Sequence, residues 1–366
     1  MSWSSRGECM AVGVKAHVLY SRLLLDDDYW DLLSSDTVPE IKEKLMSTAY
    51  GEFFETLPAE TRRHDIESAI HNTLIAQAES FLFHMSSPRD KFFKTLMYQY
   101  EADALKSVFR HIASGRTDRE KLRQRLNVPK HSTISRDNIL SARDFSEVSD
   151  VLRNTPYHRS LAEPLKRLHS GEERSLFPLE TALDMFVESS MNKALKKLEP
   201  DERNRLLPIF GARADMYNLY ILYRALVYYS LTPEETLNRL LPVRYRVTML
   251  IMRELARAES GSRLTEMLKG RFPVYEELIS SALDDENPEL ALESKIKRYV
   301  YAQAKHVFDN GPPGFHTAVA YYILKQFEIT DLTRIIEYVR YAHDRRRAAA
   351  YLTKPIAIAG GEHEWQ

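Results

Sequence analysis

The chain has 366 residues, which is room for two or three compact domains. Hydrophobic residues make up 44% of it, and 51 Lys and Arg residues nearly balance 52 Asp and Glu residues, for a formal net charge of −1. This balance disfavours a general nucleic-acid-binding protein, because such proteins usually carry a basic surplus. The single Cys9 excludes a disulfide framework and a thiolate zinc site, and it indicates a reducing compartment.

The N-terminal stretch does not resemble a secretory signal, since Lys15 and His17 interrupt its apolar residues and acidic residues follow. The longest apolar runs, such as "AVAYYIL" at 318–324, are much shorter than the ~20 residues that cross a bilayer. We therefore expect a cytoplasmic protein of several domains, without a membrane span.

Amphipathic helices explain most of the hydrophobic pattern. Apolar residues recur every three or four positions over long windows, and the alternation typical of strands is hard to find. Helix starts are well marked: in "SLTPEETLNRLL" (230–241), Thr232 is an N-cap candidate, Pro233 takes the first helical position, and glutamate lies in the first turn. A similar start is predicted at Pro288. The expected fold is all-α.

Three stretches of the chain repeat one pattern: "YEADALKSVFR" from Tyr100, "ADMYNLYILYR" from Ala214 and "FEITDLTRIIE" from Phe327. The aligned positions are the acids Glu101, Asp215 and Glu328, the leucines Leu105, Leu219 and Leu332, and the arginines Arg110 and Arg224, with Glu337 at the arginine position of the third copy. The acids are 114 and 113 residues apart. Such spacing predicts an internal triplication.

Two further elements precede each copy in the same order. A helix is aligned on Glu67, Glu180 and Glu293, and before it come "LMSTAY" (45–50), "LRNTPY" (152–157) and the more degenerate "LKGRFP" (268–273). We therefore predict three helical domains, at 11–129, 130–245 and 246–352, followed by a tail at 353–366. A period this long is not that of a solenoid repeat.

The repeated polar residues are expected to be structural. Asp215 and Arg224 are nine residues apart and lie on opposite faces of a helix, so each must contact another helix, a loop or water. Our hypothesis is that the repeated glutamate of one helix and the repeated acid or arginine of the next tie a helical hairpin together. The alternative is that these residues contact a partner directly.

The other candidate sites do not match a catalytic, metal-binding or phosphate-binding motif. "NGPPGFHT" (310–317) lacks the Gly-Lys-Ser/Thr ending of a phosphate-binding loop and predicts a turn between helices. The 12 histidines show no metal-ligand spacing, so neither a metal nor a cofactor is expected, and no catalytic residue is assigned. "HDRRR" (343–347) could bind a phosphate or an acidic partner, or be the solvated end of a helix.

The repeats resemble the C-type subunit of V/A-type ATPases, which is the homologue of the d-type subunit of the eukaryotic V-ATPase, over nearly the whole chain. The stretches that carry the resemblance are "STAYGEFFETL" (47–57), "ADMYNLYILYRALVYYSLTPEETLNRLLP" (214–242) and "FEITDLTRIIEYVRYAHDRRRAAAYLTKPIA" (327–357), the last with Tyr351, Pro355 and Ile356. Ala104 and Glu337 depart from the repeated pattern.

The resemblance implies a protein without catalysis or cofactor, built as a funnel of three similar helical domains round a pseudo-threefold axis. Such a protein sits on the cytoplasmic face of the proteolipid ring and receives the foot of the central shaft, formed by the D-type and F-type subunits. Proton or sodium transport is thereby coupled to ATP hydrolysis or synthesis. The residues that contact these partners are not identified by the sequence.

Two other functions remain open from the residues alone. A helical adaptor unrelated to rotary ATPases could be built from the same triplicated domains. An α-helical enzyme would need a nucleophile with its base, or a metal cluster, brought together from distant parts of the chain.

Overall fold

The computed structural model describes residues 3–55, 57, 61–115, 118–126, 132–229, 231–241, 245–285, 287–341 and 345–356. These residues form helices and connecting turns, and no strand occurs among them. The all-α prediction is confirmed. Both marked helix starts are found: Thr232 and Glu235 form a reciprocal capping box, and the side chain of Asn287 caps the helix that begins at Pro288.

After the N-terminal helix α1 (Trp3–Tyr20), six helices recur in three rounds, which we call the first, second and third repeat. The first repeat comprises α2 (Asp26–Leu33), α3 (Val38–Met46), α4 (Gly51–Phe54), α5 (Arg63–Leu82), α6 (Arg89–Ala113) and α7 (Arg119–Arg125). The second comprises α8 (Arg136–Ser141), α9 (Phe145–Leu152), α10 (His158–Ser170), α11 (Phe177–Leu195), α12 (Pro200–Arg224) with a π-helical turn at Ala225–Tyr229, and α13 (Pro233–Leu237). The third comprises α14 (Met249–Leu255), α15 (Gly261–Leu268), α16 (Pro273–Leu283), α17 (Pro288–Asp309), α18 (Phe315–Arg340) and α19 (Arg345–Ala350).

The chain divides into two compact units whose limits fall inside the repeats. One unit is Met1–Arg63 with Glu199–Gln366, and the other is His64–Leu198. The division into separate bundles at 11–129, 130–245 and 246–352 stays a prediction.

In the unit His64–Leu198, the second long helix of the first repeat packs against the first long helix of the second repeat. The contact joins α6 to α11, and α10 packs against α9 and α11. Leu105 of α6 and Leu183 of α11 are fully buried in this core, where the Tyr157 and Phe186 rings lie with their centroids 4.6 Å apart.

In the other unit the same arrangement joins the second repeat to the third, because α12 packs against α17. Its core includes Leu219 of α12 and Tyr275 of α16. The last long helix, α18, packs against both α17 and α1 and is buried along most of its length. Leu332 of α18 is fully buried, so each repeated leucine is a core residue, whose burial contributes roughly 1.5–3 kcal/mol to stability.

Helix α1 meets the turn between α17 and α18 backbone to backbone. A Cβ atom on Gly13 would lie 2.0 Å from the nitrogen of Gly314, whereas a Cβ atom on Gly7 of the same helix would have no neighbour within 4 Å. The turn itself, predicted from "NGPPGFHT", is found between Asp309 and Phe315. Its close approach to α1 requires glycine at position 13.

We expect Gly13→Ala to destabilise the chain by about 2 kcal/mol or more, because backbone atoms cannot move aside without shifting α1 or the turn. Gly7→Ala is the matched control, and it should leave the stability unchanged or raise it by about 0.5–1 kcal/mol through helix propensity. Thermal unfolding of the two variants beside the parent chain measures the difference. Equal melting temperatures for both variants would contradict the close approach.

Candidate functional site: three buried carboxylates

The repeated acid of the first repeat is buried on α6 and binds residues of the second repeat. Glu101 Oε1 accepts from the Thr133 backbone N–H at 2.9 Å. Glu101 Oε2 accepts from the Thr133 hydroxyl at 2.6 Å and from the Tyr157 hydroxyl at 2.7 Å. One carboxylate therefore holds both the loop before α8 and the tyrosine before α10.

The repeated acid of the second repeat does the same with the third. Asp215, fully buried on α12, accepts from the backbone N–H groups of Arg246 at 2.7 Å and Val247 at 3.1 Å, just before α14. The Tyr245 backbone N–H adds a longer bond of 3.3 Å. The Tyr275 hydroxyl on α16 donates to Asp215 Oδ2 at 3.2 Å.

The repeated acid of the third repeat binds back to the first. Glu328 of α18 accepts from the Leu24 backbone N–H at 2.7 Å, just before α2, and from the Tyr50 hydroxyl at 2.7 Å. These partners are 304 and 278 residues away in sequence. We call each acid, with its loop N–H and its tyrosine, a carboxylate clamp. The three clamps join first to second, second to third and third to first repeat.

The tyrosines of the clamps were not identified from the sequence. Two of them end the repeated stretches "LMSTAY" and "LRNTPY", so the signal was present at Tyr50 and Tyr157. In the third copy the equivalent residue is Tyr275, two positions beyond the end of "LKGRFP". Because of this two-residue displacement, the tyrosine did not appear as a repeated residue in the alignment of the three copies.

Burial shifts the pKa of Asp215 and of the three clamp tyrosines. Desolvation raises the pKa of Asp215, and its three backbone hydrogen bonds oppose that rise because they favour the charged form. Burial, together with the neighbouring carboxylate, raises the pKa of Tyr50, Tyr157 and Tyr275, so the phenols stay protonated as donors. In each clamp the phenol donates to one carboxylate oxygen and a backbone N–H donates to the other, so the arrangement positions backbone rather than a substrate.

The third clamp also contains a cation. Lys325, only 2% exposed, donates to Glu328 Oε1 at 2.6 Å, and its ammonium lies 4.0 Å from the centre of the Tyr50 ring. Tyr98 and Ala212 occupy the corresponding positions, three residues before the acid, in the other repeats. The third clamp is therefore a buried ion pair, and breaking such a pair by removing one partner is costly.

A second polar position, three residues after the acid, fixes the chain that follows each long helix. Asn218 accepts from the Leu241 N–H at 2.7 Å and donates to the Leu241 carbonyl at 3.2 Å. Asp331, fully buried, accepts from the backbone N–H groups of Thr353 at 2.7 Å and Lys354 at 2.8 Å. The first repeat has Ala104 at this position, so it lacks the side chain that would hydrogen-bond to the segment after its long helix. This is the structural consequence of the departure of Ala104 from the repeated pattern.

The C-terminal segment 350–354 is held from several sides. Arg334 donates to the Tyr351 carbonyl at 2.7 Å, and Arg298 donates to the Leu352 carbonyl at 2.8 Å. Lys354 in turn donates to the Leu24 carbonyl at 2.8 Å and pairs with Asp26 at 2.9 Å. The segment thus connects α18 to the loop before α2.

The arginine position gives a different contact in each repeat. Arg110 makes a two-pronged ion pair with Glu180, at 2.7 and 3.1 Å, and this pair joins two repeats rather than closing a hairpin within one. In the third repeat the charges are exchanged, because Glu337 pairs with Arg63 at the start of α5. Position 337, where the repeat has glutamate instead of arginine, therefore still forms an ion pair, with the acid and the base exchanged.

The remaining repeated residues are not brought into these contacts. Arg224 donates to the Tyr229 hydroxyl at 2.6 Å, and Glu293 pairs with Lys297 of its own helix. Glu67 lies partly buried on α5. Their role in the repeat stays a prediction.

The basic run at 343–347 is only partly described. Arg345 begins α19 and pairs with Asp36 at 3.0 Å, whereas residues 343 and 344 lie outside the described residues, as does the tail from 357 onward. Within the described ranges, no group of three His, Cys, Asp or Glu side chains is placed to hold a metal ion. No described helix combines the length and apolar character needed to cross a bilayer.

Comparison with known proteins gives one family. A family model described as "ATP synthase (C/AC39) subunit" matches residues 13–351, a span that includes all three clamps. No curated protein matches the chain.

Replacing one clamp tyrosine with phenylalanine should destabilise the chain by about 1.5–3 kcal/mol, the usual worth of a hydrogen bond to a charged group. The variants are Tyr50→Phe, Tyr157→Phe and Tyr275→Phe. Tyr228→Phe is the matched control, since Tyr228 is 47% exposed and belongs to none of the clamps. Thermal unfolding should give three lowered melting temperatures and an unchanged control; clamp variants as stable as the parent would refute the assigned bonds.

Asp331 should make stability depend on pH. Burial raises the pKa of Asp331 from 3.8 to about 6, so between these values the folded chain holds a proton that the unfolded chain releases. Its contribution to stability is thus present at low pH and lost as pH rises through about 6, by ~3 kcal/mol in all. Relative to the parent, Asp331→Asn should therefore be more stable at pH 7 than at pH 4.

The measurement is denaturant unfolding of parent and variant at both pH values. Asp27→Asn, which alters an exposed carboxyl on α2, is the control and should track the parent. A stability difference between Asp331→Asn and parent that is the same at pH 4 and 7 would show that Asp331 titrates normally.

Proposed function

We propose that this chain, which belongs to the ATP synthase (C/AC39) subunit family, is the central-stalk subunit that couples the proteolipid ring of a rotary V/A-type ATPase to the central shaft. The family is a non-catalytic subunit family of a membrane-associated ATPase complex, so the partners of the chain lie in that complex. The finer assignment places the chain on the cytoplasmic face of the ring, where it receives the D-type and F-type shaft subunits. Ion transport and ATP turnover are then coupled through it.

The observation that carries this proposal is the order of the clamps. Each repeat is fastened to the next through a buried carboxylate, and the third is fastened to the first. A subunit that connects the ring to the shaft must transmit torque without deforming. Buried carboxylates whose oxygens are all hydrogen-bonded resist the sliding of one repeat against another. Three similar units joined head to tail in this order suit a funnel round a pseudo-threefold axis.

The direct test is isolation of the complex from native membranes with this chain as bait, followed by electron microscopy. The proposal expects ring and shaft subunits to co-purify and the chain to lie between them. An adaptor unrelated to rotary ATPases would bring down neither. Density for the chain at the periphery of the complex would also refute the coupling role.

Weakening a clamp should reduce coupling before it abolishes folding. In the assembled complex, Glu101→Gln removes the charge that holds Thr133 and Tyr157, at a cost of about 1.5–3 kcal/mol. We expect ATP hydrolysis to continue while the ions transported per ATP decrease, because the coupling becomes more compliant. Glu163→Gln, an exposed glutamate on α10 of the same unit, is the control. A transport ratio equal to that of the control would contradict the role of the clamp in coupling.

A further inference from the structure

A cavity of about 160 Å³ lies beside the third clamp. Its lining includes Ser21 and Leu24 of the loop between α1 and α2, Tyr29 of α2, Tyr301 of α17, Glu328 of α18 and Lys354. A water molecule takes up about 30 Å³ in the liquid, so the cavity has room for roughly five of them. It is therefore large enough for a small guest, and several of its walls are polar.

The phenol of Tyr29 is the group in this cavity that most needs a partner. The side chain is fully buried, and its hydroxyl has no hydrogen-bond partner among the residues the structure describes. Burial, and after it the charge of Glu328, raises the pKa of Tyr29, so the phenol stays protonated and can donate. Because an unsatisfied buried donor is destabilising, this hydroxyl requires an acceptor from within the cavity.

The carboxylate of Glu328 still has room for one donor. A carboxylate offers about four acceptor positions, and described residues occupy three of those on Glu328. Oε1 accepts from the Tyr50 hydroxyl and from Lys325, whereas Oε2 accepts only from the Leu24 backbone N–H. The second position on Oε2 is therefore available on the wall of the cavity.

The ammonium of Lys354 contributes a further donor. Described residues take two of its N–H groups, because it donates to the Leu24 carbonyl at 2.8 Å and pairs with Asp26 at 2.9 Å. An ammonium group has one donor more than these two. The Lys354 nitrogen lies 4.8 Å from the centre of the Tyr29 ring, so this donor and the phenol belong to the same small space.

These three groups together define the chemistry of the guest. Tyr29 and Lys354 donate and Glu328 accepts, so a guest that satisfies all three must both accept and donate hydrogen bonds. A metal ion cannot accept them. A small anion such as chloride cannot donate them, and it would also bring a second negative charge beside Glu328. Water accepts and donates equally well, and a buried water needs two to four polar partners of this kind.

Solvent lies on the other side of a single loop. A shallow groove of about 500 Å³ is lined by Ser21 and residues 23–25, which also line the cavity. The loop between α1 and α2 is thus the wall that separates the cavity from this groove. Water can exchange with the cavity when that wall moves.

We propose that the cavity holds a cluster of ordered water molecules that connects Tyr29 and Lys354 to Glu328 and thereby completes the third clamp. The first and third repeats are then joined through water as well as through direct bonds. The inference concerns the chain by itself and does not rest on the proposed function.

The first test is a crystal structure of the full-length chain at a resolution that shows ordered water, from crystals grown and frozen without polyols. We expect a water about 3 Å from the Tyr29 hydroxyl, with further waters that reach Glu328 Oε2 and the Lys354 ammonium. A cavity without water, a bound ion or additive in its place, or a direct bond from Tyr29 to a protein group would overturn the inference.

The second test is Tyr29→Phe, which keeps the ring and removes the hydroxyl. If the hydroxyl is bonded to water, the variant loses that bond, and the folding equilibrium constant should fall about two- to tenfold. If the hydroxyl has no partner, its removal relieves a buried polar group, and the variant should be as stable as the parent or more stable. The sign of the change therefore decides between the two states of the cavity.

Denaturant unfolding of the full-length chain measures this change. Tyr228→Phe removes the same hydroxyl at a position 47% exposed and should leave the equilibrium constant unchanged. Stability of Tyr29→Phe equal to or above that of the parent contradicts the water cluster. Because both tests use the chain alone, such a result leaves the coupling role untouched.

Discussion

A buried carboxylate that takes its donors from the following repeat is the interaction on which the rest of this structure depends. A charged oxygen inside a protein is tolerated only when hydrogen-bond donors surround it. Glu101, Asp215 and Glu328 each obtain a backbone N–H and a phenol, and both come from the next repeat rather than from their own. Each repeat therefore depends on its neighbour for the backbone N–H and the phenol that its acid accepts from, and only Glu328 has in addition a described donor of its own repeat, Lys325.

This dependence explains how the compact units are composed. The unit His64–Leu198 combines the two long helices of the first repeat with the small helices and first long helix of the second. The clamp of Glu101 lies inside that unit, as do the packing of α6 on α11 and the Arg110–Glu180 pair. The helix packing, the ion pair and the clamp thus all lie at the boundary between the first and the second repeat. A compact unit of the structure therefore combines parts of two sequence repeats.

How much the sequence predicts depends on whether an interaction is local. The helical class and the capped starts at Pro233 and Pro288 follow from spacing within short windows, and they are found. The acids and leucines of the repeat could be identified because their spacing is nearly constant. The partners of these acids could not be predicted, because a repeat length of ~113 residues does not indicate whether an acid binds its own repeat or the next one. Tyr275 was missed because two extra residues displaced it, and Lys325 because it occurs only once.

The third junction needs more contacts than the other two because the chain does not connect it. The first clamp joins Glu101 to a loop 32 residues away, whereas the third joins Glu328 to Leu24 across 304 residues. Closing the longer loop costs about 2 kcal/mol more in chain entropy, at roughly 0.6 kcal/mol for each doubling of length. The third junction alone has the buried Lys325, the bond from Lys354 to the Leu24 carbonyl and the packing of α1 on α18. Each of these contacts can offset part of that entropy. These contacts therefore strengthen the one junction between repeats that peptide continuity does not make.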